Sequence, residues 1–213
     1  VTYTVAAAGG CAAYAPTATI TINTAPSGTF SYAGSPFCST GGTASPTGVA
    51  LTGGGTYSSA GGLSINSASG DVDLALSTAG TYTVTYTIAA AGGCAAFTPT
   101  ATISITAAPN AGVTNPAFNI CIPGAAVNLF SALGGTPQTG GTWTGPSPAL
   151  TGGYLGTFQP GTNALGTYTY TKNAVSPCVG SASATVTVTN NYLTTVTVDI
   201  RSDYESDEVS WEI

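Results

Sequence analysis

Residues 80–106 read GTYTVTYTIAAAGGCAAFTPTATISIT, and this stretch decides the fold. Tyr82, Val84, Tyr86 and Ile88 alternate with Thr81, Thr83, Thr85 and Thr87. Ala101, Ile103 and Ile105 alternate in the same way with Thr100, Thr102, Ser104 and Thr106. Successive strand side chains point to opposite faces, so a strict period of two describes strands with one buried and one wet face. The Gly92-Gly93 pair between the two runs makes them an antiparallel hairpin. Upstream, Gly and Ser clusters separate shorter strand candidates at 28–33, 43–51, 55–58, 63–66 and 71–76. About seven short strands and no helical period predict an all-β antiparallel sandwich.

The hairpin recurs. Residues 1–26 (VTYTVAAAGGCAAYAPTATITINTAP) match residues 84–109 at 20 of 26 positions. A diverged third copy, GTYTYTKNAVSPCVGSASATVTVTN, spans 166–190. The cysteines keep the beat: Cys11, Cys38, Cys94, Cys121 and Cys178 are 27, 56, 27 and 57 residues apart. These offsets predict tandem repeats of about 83 residues, and Trp143 on a middle strand between Cys121 and Cys178 resembles the Cys, Trp and Cys pattern of immunoglobulin-like sandwiches. Residues 1–24 are read as the closing hairpin of a preceding repeat, 25–107 as one repeat, 108–190 as a diverged repeat and 191–213 as the start of an acidic β module. The chain is then a window on a longer array.

Composition narrows the function. Of 213 residues ten are charged, with two Lys or Arg against eight Asp or Glu, no His and a net charge of −6. Two cations cannot neutralise a phosphate backbone, so nucleic acid is not a partner. Lack of His removes Ser-His and Cys-His catalysis and imidazole metal ligands. No apolar run reaches the roughly 18 residues of a membrane-spanning helix, so membrane insertion is not predicted.

Pairing the cysteines repeat by repeat gives one disulfide in each, Cys38–Cys94 and Cys121–Cys178, with the partner of Cys11 outside the chain. The rival pairing, Cys11–Cys38 and Cys94–Cys121, crosses repeat boundaries, and spacing alone does not decide connectivity. Because the turn cysteine stands beside a Gly-Gly pair, the bridge is predicted to staple the hairpin tip to the segment after the first strand. Disulfides place the chain in an oxidising compartment, extracellular or on the cell surface.

Few residues offer chemistry. Asp71 and Asp73, alternating with Val72, Leu74 and Leu76, are read as a wet strand face rather than a glycosidase pair or Ca²⁺ ligands. Trp143, in the GGTW that replaces the GGTY of the first repeat, is read as core beneath the disulfide rather than a sugar-stacking platform. Lys172 falls on the apolar phase near a strand end and is predicted to reach back to water. The Thr-x-Thr rows are read as ordinary strand faces and not as an ice-binding array. Asp199, Asp203, Glu205, Asp207 and Glu208 form the only clustered carboxylates, weak candidates for Ca²⁺. A solvated turn is the simpler reading, and no cofactor is otherwise predicted.

Residues 63–94, LSINSASGDVDLALSTAGTYTVTYTIAAAGGC, resemble the tandem immunoglobulin-like repeats of giant surface proteins of the Bacteroidota. Those are adhesins and gliding-motility-type proteins exported by type IX secretion. The ending SDYESDEVSWEI, 202–213, is similar to modules that follow such repeats. The resemblance implies a non-catalytic stalk segment projecting a distal binding module, with neighbouring repeats of the same chain as its partners. Short Ala25-Pro26 and Ala108-Pro109 junctions suit that role by restricting bending. The alternatives are a filament or sheath subunit that pairs with copies of itself, and a carbohydrate-binding module of a secreted enzyme.

Overall fold

A computed structural model describes residues 1–146 and 149–191. The acidic candidates from Asp199 to Glu208 lie outside the described residues. The chain divides into two compact units, Val1–Pro109 with Ala174–Gly180, and Asn110–Asn173 with Ser181–Ile213.

In the first unit the alternating segments form β6 (Gly80–Thr87) and β7 (Thr100–Thr106), paired antiparallel from Gly80↔Ile105 to Thr85↔Thr100. Before them come β1 (Phe37–Cys38), β2 (Thr43–Ala44), β3 (Thr56–Ser59), β4 (Ser64–Ile65) and β5 (Val72–Asp73). One sheet has the order β1-β7-β6-β3 and the other β2-β5-β4. A short first strand lies parallel to the last, Phe37↔Ile105 and Cys38↔Thr106, while the other pairs are antiparallel. This strand order is that of an immunoglobulin-like sandwich whose first strand has joined the sheet of its last. Val72, Val84 and Ile103 are fully buried between the sheets, with Phe30, Tyr32, Tyr86 and Ile105 around them.

The second unit repeats the plan. Its large sheet has the order β10-β12-β13-β8, from β8 (Asn115–Ile120), β10 (Thr142–Thr144), β12 (Gly166–Asn173) and β13 (Ser181–Asn190). Strands β9 (Val127–Asn128) and β11 (Thr157–Phe158) pair separately. Here too the first strand is parallel to the last, with a bulge between Val186 and Val188. Leu129, Phe158, Tyr168, Tyr170, Val186 and Val188 fill the core.

Tyrosines on the penultimate strands carry the same two contacts in each unit. The Tyr86 hydroxyl donates to Thr52 O at 2.7 Å and accepts from Gly55 N at 2.9 Å. Tyr170 does the same with Gln138 O at 2.7 Å and Gly141 N at 2.8 Å. The GGTY and GGTW segments are thereby fastened, with Tyr57 paired to Tyr86 and Trp143 to Tyr170 across the ladder. On the wet faces the hydroxyls meet one another: Thr81 with Ser104 at 2.9 Å, Thr167 with Thr187 at 3.0 Å. These are cross-strand pairs of ordinary sheet type.

Two local readings need correction. Residues 28–33 do not form a strand; Ser31 makes one bridge to Thr47, while the first ladder strand is Phe37–Cys38. Leu76 does not continue the buried phase and is 75% exposed, because Asp73 ends β5. Its carboxylate accepts from Ala75 N at 3.0 Å and Leu76 N at 3.1 Å, which turns the chain.

Candidate functional site

The disulfide connectivity follows from strand direction. Because β1 runs parallel to β7 and pairs with its last residues, Cys38 stands beside Thr106. The turn bearing Cys94 lies beyond the other end, past the Ile88↔Phe97 bridge. At about 3.3 Å per residue, the run from Phe97 to Thr106 separates these ends by about 30 Å. A disulfide requires Cα atoms within about 7 Å. Cys38–Cys94 is therefore not the bond that forms. In the second unit Ile120 pairs with Asn190, at the far end of a ten-residue strand from Ser181 and the turn before it. Cys121–Cys178 fails for the same reason, as does the expectation of one disulfide within each repeat.

Instead Cys38 bonds Cys178, 140 residues away, with Cα atoms 4.9 Å apart. Cys178 lies in the turn 174–180 between β12 and β13, a segment that packs as part of the first unit. Its sulfur stands 3.5 Å from Thr106 O and 3.6 Å from Ala107 O. The expected link runs from the hairpin tip to the segment after the first strand; the bond does run from a hairpin turn, but from the turn between β12 and β13 to the end of β1. Parallel pairing of β1 with the end of β7 is the signal that the sequence reading lacked. Cys11, Cys94 and Cys121 carry free thiols.

The hairpin of residues 1–22 closes by bridges Thr2↔Thr17, Val5↔Tyr14 and Ala8↔Cys11. Its apolar face is bare: Val1, Ile20 and Ile22 are 78%, 69% and 91% exposed. Their counterparts Val84, Ile103 and Ile105 are at most 4% exposed.

Trp143 is half-buried at the edge of the core, and with Cys121 unpaired there is no disulfide above it. Its ring packs on Tyr170 at 5.2 Å, and Nε1 donates to Tyr154 O at 2.9 Å. Gly156, with φ +60°, approaches so closely that a Cβ there would lie 2.5 Å from Nε1. Both the ring and its N–H are thus engaged within the unit.

Asp71 and Asp73 are half-buried and locally bonded rather than presented as a pair. The Ser69 hydroxyl donates to Asp71 at 2.7 Å. Hydrogen bonds from Ser45 and Ser69 hold the Asp71 carboxyl below its usual value. Lys172 Nζ donates to Thr139 O at 2.8 Å. Among the described residues no group of three or more His, Cys, Asp or Glu side chains is placed to hold a metal ion.

No family model matches the chain, and no curated protein matches it. Among solved structures it is similar to the I67–I69 I-band fragment of titin, at 15% identity and a TM-score of 0.30. That match covers 79% of this chain and 66% of the titin fragment. It is also similar to N-cadherin EC1–4 from Drosophila, at 13% identity and a TM-score of 0.35, over 78% of this chain and 50% of the other. The chain thus spans less than two thirds of each of these structures. The immunoglobulin-like description rests on the strand order of the molecule itself, not on these likenesses.

Proposed function

We propose that this chain is a non-catalytic spacer, a stalk segment of an extracellular surface protein that holds a distal module away from its anchor. The observation that carries the reading is the Cys38–Cys178 bond, which ties the first strand of one sandwich to the turn between the closing strands of the following one. Adjacent repeats are then covalently continuous by two routes, the main chain and the disulfide. A tension-bearing element benefits from such a link, because residues between the two sulfurs cannot be drawn out while it is intact. Disulfides persist in oxidising surroundings, which supports the extracellular placement. Neighbouring repeats of the same chain are its partners under this reading. A carbohydrate-binding role is disfavoured by the engagement of Trp143 with Tyr170, Tyr154 and Gly156.

Pulling the chain from its two ends tests the proposal. With the disulfide intact, the 140 residues between the sulfurs stay out of the extension. Reduction should release about 500 Å more contour length, at ~3.6 Å per residue. Equal extension before and after reduction would refute the force-bearing role, as would saturable glycan binding or hydrolase activity by the isolated chain.

A further inference from the structure

We propose that the open edge of residues 20–25, together with the Cys94 thiol, is a capture site for an extended polypeptide strand carrying an apolar residue followed by cysteine. Such a strand is supplied by another repeat of this type. The site follows from the repeat geometry and holds whether or not the array serves as a spacer.

The duplicate hairpin shows what a completed site contains. There, β1 lies along the end of β7 with Phe37 opposite Ile105 and Cys38 opposite Thr106. Ser104 N donates to Ser35 Oγ at 2.9 Å, Ser39 N to Thr106 O at 2.9 Å, and Ala108 N to Ser39 Oγ at 3.0 Å. Cys38 then bonds the turn cysteine, Cys178, whose sulfur sits against Thr106 and Ala107.

One repeat earlier, the matching groups are Thr21 N, Asn23 O and Ala25 N. None of the three has a hydrogen-bond partner among the described residues. Ile22, the counterpart of the buried Ile105, is 91% exposed. The turn is nevertheless in place. Asn23 Nδ2 donates to Gly92 O at 2.9 Å, and an open cleft of about 280 Å³ is lined by Asn23, Thr24, Pro26, Ile88, Gly92 and Cys94. Cys94 thus lines one cleft with Asn23 and Thr24, the counterparts of the Thr106 and Ala107 that flank Cys178. The edge and the thiol are present; the strand with its cysteine is what the site lacks.

Main-chain bonds along an open edge, an apolar side chain on the sheet face and a thiol at the end together specify a β-strand ligand and not a small molecule. If the strand arrives as a mixed disulfide with glutathione, the Cys94 thiolate attacks the strand's cysteine sulfur. A new S–S bond forms, the old one breaks, and glutathione leaves with the electron pair and takes up the proton that Cys94 lost. No further oxidant is needed.

The test uses the intact chain and a peptide of residues 34–41, GSPFCSTG, as its glutathione mixed disulfide. Mass spectrometry reads peptide adducts at Cys11, Cys94 and Cys121. The half-buried Cys94 should be modified at least tenfold faster than the exposed Cys11 and Cys121. Glutathione disulfide alone should show the opposite order, and the peptide with Phe37→Ser should lose its preference. Modification of Cys11 or Cys121 as fast as Cys94 would overturn the proposal. So would undiminished selectivity of the Phe37→Ser peptide.

Discussion

Ile20 and Ile103 occupy the same place in two nearly identical stretches, yet one is 69% exposed and the other fully buried. Ile103→Ala should cost about 2–5 kcal/mol in urea unfolding, whereas Ile20→Ala should change stability by less than about 0.5 kcal/mol. The side chain is the same, and the five strands that cover it make the difference. Tyr32 offers a second residue-scale measurement. Its hydroxyl donates to Gly70 O at 2.6 Å, and burial first, then the charges of Tyr57 and Asp71, push its phenol up to about 12. The unfolded phenol ionises near pH 10, so above that pH the unfolded state loses a proton that the native state keeps. This contribution is fully present below pH 10 and is lost as the pH rises toward 12. Urea midpoints taken from pH 9 to 11.5 should fall, and Tyr32→Phe should flatten the decline. Burial of Val84 and Ile103 was legible from the period-two pattern alone. Exposure of Leu76 was not, because the Asp73 carboxylate bends the chain before the alternation reaches it.

The tyrosine latch is the feature of the element scale. Tyr86 and Tyr170 each serve one carbonyl and one N–H of the loop and strand beside them. Removing either hydroxyl leaves two polar groups to find other partners, so Tyr86→Phe and Tyr170→Phe should each cost about 1–3 kcal/mol. Thermal unfolding of the two variants measures it, and a change within experimental error would show that water replaces the hydroxyl at no cost. The GGTY and GGTW segments marked where these elements lie, and the aromatic stacks on Tyr86 and Tyr170 bear out their equivalence. The first strand was misplaced, since Phe37–Cys38 is two residues long and shows no alternation to read. Such a strand is defined by its partner, here the end of β7, more than by its own composition.

Across the whole molecule the decisive feature is a covalent bond that spans 140 residues. In the chain-entropy model, closing a loop of that length contributes about 5 kcal/mol. Cys178→Ser should therefore lower the stability of the first unit by up to that amount, and reduction of the unaltered chain should do the same. A urea titration with and without reductant compares the two, and identical curves for the oxidised and reduced chain would deny the bond any stabilising role. The sequence by itself determined the β class, the 83-residue period, the buried face of the closing hairpins at 80–106 and 166–190 and the presence of cysteines at two fixed points of the repeat. Those features are local, set by alternation and by duplication, and a linear reading captures them. Only the tertiary structure decided which cysteines meet. Parallel pairing of the first strand with the end of the last carries the two cysteines of a repeat to opposite ends of the sandwich, about 30 Å apart by strand rise. Sulfurs bond across short distances in space, so Cys38 finds its partner not in Cys94 but in Cys178, in the turn between β12 and β13.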